Sequence, residues 1–181
     1  MYKRFFFILF FSFPGLFFSQ IYICKDGTTQ FTSEAPLELI KAQSSKTNGV
    51  IDATTKNVAF SVTIESFNGF NSALQKEHFL ENYLEAHKYK TADFKGKIIE
   101  DIDFAKIGTY TVRAKGILNI HGTSKEKIIK VKIIVKDKEV EVDSAFDLSL
   151  AEHNIKIPKI VNQKIASVIT VLVKAVLKQK V

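Results

Sequence analysis

From Ile21 onward, polar and apolar residues alternate with a period of two. Val58, Phe60, Val62 and Ile64 alternate with Ala59, Ser61, Thr63 and Glu65, which gives a strand with one apolar and one wet face. Tyr110, Val112, Ala114, Gly116, Leu118 and Ile120 line one side of another strand, against Thr109, Thr111, Arg113, Lys115 and Asn119. Ile129, Val131, Ile133 and Val135 repeat the pattern against Lys130 and Lys132. Val140, Val142, Phe146, Leu148 and Leu150 do so against Glu139, Glu141, Asp143 and Asp147. A last strand, Ile165 to Leu177, is apolar on both faces over Val168 to Val173, as a covered or barrel-closing strand is.

Turn residues punctuate these runs. Asp26-Gly27 predicts a turn between two short early strands, and Asn48-Gly49 a turn ahead of Val50-Ile51. Thr54 to Asn57, Gly108, Gly122 and Lys136-Asp137-Lys138 separate the later strands. One segment breaks the period: Asn71-Ser72 caps a helix predicted over Ala73 to His87. Leu74, Phe79, Leu80, Tyr83, Leu84 and His87 fall mostly on one face of it, and Glu77, Glu81 and Glu85 on another. A short helical turn fits Leu150 to Asn154. About eight antiparallel strands with one inserted α-helix predict a mostly-β fold, a closed or nearly closed barrel. A barrel of that size holds either packed side chains or one small ligand, and alternation alone does not separate the two.

The N-terminus changes the picture. Met1-Tyr2-Lys3-Arg4 and an apolar run from Phe5 to Phe18, broken at Pro14-Gly15, read as an export signal with cleavage after Ser19, the other reading being an uncleaved N-terminal anchor. That leaves one domain over 20–181. Loss of Lys3 and Arg4 with the signal lowers the net charge from +7 to +5. Arg4 and Arg113 are the only arginines, and the lysines stand among acids, as in Lys125-Glu126-Lys127. That is a solvated surface with a weak preference for anionic lipid, not a nucleic-acid face. Cys24 is alone, so no internal disulfide forms.

Candidate chemistry is sparse. Phe60, Phe67, Phe70, Phe79, Tyr83 and Phe94, with Leu74, are the candidate walls of an apolar site, although each also suits plain core packing. His78 and Asn82, four apart on the helix, are candidates for a ligand headgroup, as is Arg113. His78 and His87 stand on opposite faces and match no metal motif, so no metal is expected. His121 beside Gly122-Thr123-Ser124 reads as a turn, because no G-x-S-x-G elbow exists. His153 falls in another turn, where exposure is expected. Nothing points to an enzyme or to a cofactor.

Four stretches carry a family resemblance. Phe31-Thr32-Ser33-Glu34-Ala35-Pro36-Leu37-Glu38 resembles the F-x-S-x-A-P-L-E signature of YceI-like proteins. Phe67 to Phe70, Leu74 to Glu85 and Lys88 to Gly96 resemble that family's S-F-x-F…L-x-x-E-H-F-x-E-N-Y…K-Y-x-x-A-x-F-x-G block. Gly116 to Gly122 resembles its G-x-L-x-I-H-G strand, and Ile155 to Pro158 its I-x-I-P turn. Gln75, Leu80 and Thr91 stand where the family block usually has methionine, asparagine and proline. The resemblance implies a lipocalin-like barrel that binds a long isoprenoid, such as a quinone or polyprenyl phosphate, or another amphiphile, in the periplasm, without enzyme activity. Transient membrane contact and a homodimer are compatible with it. The other reading is an exported stress-response or interaction module whose barrel is filled and whose surface does the work.

Overall fold

The computed structural model describes residues 20–180, and the predicted signal segment lies outside them. Eight antiparallel strands close a barrel in chain order: β1 (Ile21–Glu34), β2 (Leu39–Asp52), β3 (Asn57–Thr63), β4 (Thr91–Ile98), β5 (Gly108–Ile120), β6 (Thr123–Lys136), β7 (Glu139–Ser149) and β8 (Val168–Gln179). β8 returns to pair with β1, which closes the sheet on itself. The expected fold class is the one observed.

The alternation of β5 to β7 maps onto the two faces as predicted, and β8, expected from Ile165, starts at Val168 and buries Val171, Ala175 and Leu177. Ile133, Val140, Val142 and Leu177 are buried inside, and Lys130, Lys132, Asp143 and Lys174 are outside. Two predicted turns are strand interior instead. Asp26-Gly27 sits within β1, where the register slips on both sides of Gly27 and keeps Tyr22, Cys24, Gly27 and Thr29 turned inward. A Cβ at Gly27 would lie 3.2 Å from Lys174 O, Thr47 O and the Ala175 methyl, so crowding rather than a turn requires glycine. Gly49 lies within β2 opposite Phe60, whose ring fills the space a side chain would take.

The barrel has two unlike ends. At one, Tyr22, Ile51, Val135, Val140 and Leu177 are fully buried, and Phe104 packs on Tyr22 with ring centres 6.0 Å apart. The other carries the β3–β4 connection, where helix α1 (Ala73–His78) starts at Ser72, whose side chain accepts from Gln75 N at 3.1 Å. The predicted helix to His87 is shorter: α1 runs into a π turn over Phe79–Tyr83, with Leu84 N donating to Phe79 O and Ala86 N to Leu80 O. The wider turn rotates the apolar face. Phe79, Leu80, Tyr83 and Leu84 therefore turn to the barrel, while Leu74 and His87 stay exposed.

A polar clasp ties the end of this segment to the β5–β6 turn. Glu85 Oε2 lies 2.6 Å from His121 Nε2, and His121 Nδ1 lies 3.2 Å from His153 O. Tyr89 packs edge-on against the His121 ring, over Gly122 (φ +68°), where a side chain would strike it. His153, expected in the open, is 1 % exposed, and its Nδ1 donates to Thr123 O at 3.1 Å. Its turn is folded back under the end of β6, which no local sequence pattern announces.

Two outcomes follow from these contacts. A Cβ on Gly116 would sit 2.2 Å from Lys95 O and 2.5 Å from Gly96 Cα, so Gly116→Val should destabilise by about 3 kcal/mol, the upper end for an overpacked core, in urea unfolding. Acid should weaken the helix end. Burial lowers the His153 pKa, so below about 6.5 the unfolded chain takes up a proton that the folded chain refuses, and stability falls as pH drops. The His121 hydrogen bond lowers the Glu85 pKa, so its contribution is present above the ordinary carboxylate value and lost as pH falls through the lowered one. Thermal unfolding between pH 7.5 and 5 should show a falling midpoint in the wild type and a flatter trend in His153→Gln. Equal slopes would mean that His153 titrates alike folded and unfolded.

Candidate functional site

Between the packed end and the helix lies an internal cavity of about 120 Å3. Its walls come from the inward positions of every strand, among them Ile51, Phe60, Phe94, Val131, Phe146 and Val173. Three of the polar residues on the wall are paired within it. Thr29 and Thr47 share a hydrogen bond of 2.7 Å, and the Ser144 hydroxyl donates to Lys130 O at 3.0 Å. A surface with its polar groups satisfied this way favours hydrocarbon over water. Small inward residues make the room: Ala92 and Ala114 line the cavity, and the Gly96–Gly116 pair brings β4 and β5 close beside it.

A cluster of phenylalanines caps the cavity on the helix side. Phe79 stacks on Phe31 with ring centres 5.3 Å apart and meets Phe67 and Phe70 at 5.7 and 5.0 Å. Val62 and Ala92 pack against this cluster and also line the cavity, so the two are continuous.

The predicted site residues divide into three groups. Phe60 and Phe94 are on the cavity wall. Phe67, Phe70 and Phe79 join in the cap, and Tyr83 is half-buried against the same core, its hydroxyl pKa raised by burial. Leu74, His78, Asn82 and Arg113 are not brought to the cavity. Leu74 is 58 % exposed on α1, and His78 and Asn82 face solvent. Arg113 stands on the outer face of β5, where its Nε donates to Glu100 Oε1 at 2.7 Å. Among the described residues no cluster of three or more His, Cys, Asp or Glu side chains could hold a metal ion.

Sequence reading missed Phe31 and Phe146. Phe146 shares the inward phase of Val142 and Leu148, which is the signal that finds it. Phe31 is found only once the bulge at Gly27 resets the phase of β1.

The fold has close relatives in shape. A polyisoprenoid-binding domain from Saccharophagus degradans implicated in plant cell wall breakdown superposes with a TM-score of 0.75 at 13 % identity, covering 90 % of this chain and 99 % of that one. BcnA of Burkholderia cenocepacia gives 0.68 at 13 % identity, with 83 % and 95 % covered. A YceI protein of Campylobacter jejuni gives 0.61 at 18 % identity, with 78 % and 85 % covered. At such identities the likeness is one of fold. No curated protein sequence matches the chain. The model of the YceI-like domain matches residues 26–177, nearly the whole barrel, and the chain therefore belongs to the YceI-like family.

Proposed function

We propose that this protein holds a long apolar chain, an isoprenoid such as a quinone or polyprenyl phosphate, inside its barrel, and that it does so in the periplasm after export. The apolar, continuous cavity, with the Thr29, Thr47 and Ser144 hydroxyls bonded within its wall, is the observation that carries the reading. The name of the Saccharophagus degradans neighbour supports the ligand class. The basic start and apolar run of residues 1–18 support export.

Size constrains how the ligand enters. A cavity of about 150 Å3 accepts one benzene ring, so the 120 Å3 here takes roughly one isoprene unit without movement. A longer chain has to displace side chains, and the phenylalanine cap is what lies in its path. Its half-buried rings Phe70 and Phe79 sit on the β3–β4 connection rather than in the ladder, so their displacement leaves the strands paired, while Phe31 stays fixed on β1. The small cavity is also what favours the second reading, an exported interaction module with a filled barrel.

Contact with a membrane fits the same end of the molecule. Leu37 in the β1–β2 turn and Ile160 in the β7–β8 connection are exposed, and Leu37 N donates to Gln163 O, which holds the two tips together. Lys159 and Lys164 flank Ile160. Such tips suit brief insertion at an anionic lipid surface.

Native mass spectrometry of the mature protein, purified without detergent from its own host, should show a discrete added mass that organic extraction removes. A bare mass, repeated after incubation with quinones and polyprenyl phosphates, would move the assignment to the filled-barrel module. Ala92→Leu should fill the cavity and weaken isoprenoid binding about tenfold, ~1.4 kcal/mol, while the unfolding midpoint holds. Unchanged affinity in a folded Ala92→Leu protein would place the ligand elsewhere.

A further inference from the structure

The inward face of β6 changes chemistry along its length. Val135, Ile133, Val131 and Ile129 point into the barrel, and the next two positions of the same phase are Lys127 and Lys125. The seam beside them is open. β6 pairs with β5 over its whole run down to Thr123, but its ladder with β7 stops at Val131–Ser144. Ala145 to Ser149 pair with β8 alone. The Ser144–Lys130 hydrogen bond closes one end of this slot. At the other end His153 and Asn154 both reach Thr123, at 3.1 and 3.0 Å. Ser124 to Lys130 and Ala145 to Ser149 share no ladder rung between these closures.

The break between β2 and β3 is of another kind. There the chain after β3 covers β2: Gln43 and Asn68 exchange hydrogen bonds of 2.8 and 2.9 Å, and Asn71 Nδ2 donates to Leu39 O. Among the described residues nothing comparable spans the slot. What lies at it is Phe146, a residue of the cavity wall, with Lys127 Nζ 5.7 Å from its ring centre. Lys127 is half-buried and, among the described residues, neither it nor Lys125 has an ion pair. Glu126 between them turns outward to Lys115 at 3.2 Å, and Asp147 accepts from Thr170 on the outer face. A half-buried ammonium beside hydrocarbon, with no anion of its own, is what an anionic group would satisfy.

We propose that the slot between β6 and β7 is a headgroup site. Lys127, seconded by Lys125, binds a phosphate or other anionic headgroup there, and the tail passes Phe146 into the cavity. The backbone edges of β6 and β7 supply further hydrogen bonds. The assignment rests on the lipid reading of the cavity, replaces Arg113 as the headgroup cation, and places the headgroup at the side of the barrel, with the tail running from there toward the phenylalanine cap.

The test compares geranylgeranyl phosphate with geranylgeraniol, which share a tail, on the mature protein. The wild type should prefer the phosphate about tenfold, the worth of a charge-assisted hydrogen bond. Lys127→Ala should lose that preference and bind the alcohol as the wild type does, which also shows that it is folded. Lys132→Ala, on the outer face of the same strand, should change neither affinity. Phosphate binding unchanged in Lys127→Ala would overturn the headgroup site while leaving the cavity reading intact. A wild type that binds neither compound would overturn the cavity reading, and the site with it. Inorganic phosphate competing as well as the tailed phosphate would overturn it in favour of a free-anion site.

Discussion

A closed antiparallel sheet must occupy its own interior. Each strand of this barrel sends alternate side chains inward, and an eight-stranded barrel leaves a space that those side chains fill or nearly fill. Which of the two happens depends on the volume supplied at each level. Tyr22, Phe104 and Leu177 fill one end completely. Ala92, Ala114, Gly96 and Gly116 leave the middle short of volume, and the Thr29, Thr47 and Ser144 hydroxyls are bonded within the wall rather than held out for water. The site is thus not an addition to the fold. It is the level of the barrel at which packing stops.

The strands after Gly108 were legible because the alternation there is clean and the turns are short. The early strands were not, because glycine has two uses. In Asp26-Gly27 and Asn48-Gly49 it reads as a turn, but a small barrel also needs glycine where strands crowd or where an aromatic ring crosses the backbone. Gly27 meets three neighbours at 3.2 Å and Gly49 lies under Phe60, and both are consequences of tertiary curvature that a local window cannot contain. The helix was legible in its cap and lost in its end, since a π turn is set by how Leu80 and Leu84 dock rather than by their spacing.

The candidate site followed the same division. Phe60 was recoverable from phase alone, as Phe146 is. Arg113 drew attention as a rare cation, yet its odd-numbered position on β5 fixes it outside, against Glu100. Lys127 is unremarkable among many lysines until its phase is counted from Ile129 and the missing ladder to β7 is seen beside it. His153 shows the reverse limit: nothing near it in the chain indicates that Thr123, thirty residues away, will cover it.

The most direct measurement is methyl-resolved NMR of the mature protein titrated with a polyprenol. Inward methyls of Val131, Val142, Val171 and Val173 should shift together and saturate, while those of Ile117, Ile128 and Val176 on the outer face stay where they are. Shifts confined to the outer methyls, or none at any concentration that keeps the lipid dispersed, would contradict a ligand inside the barrel.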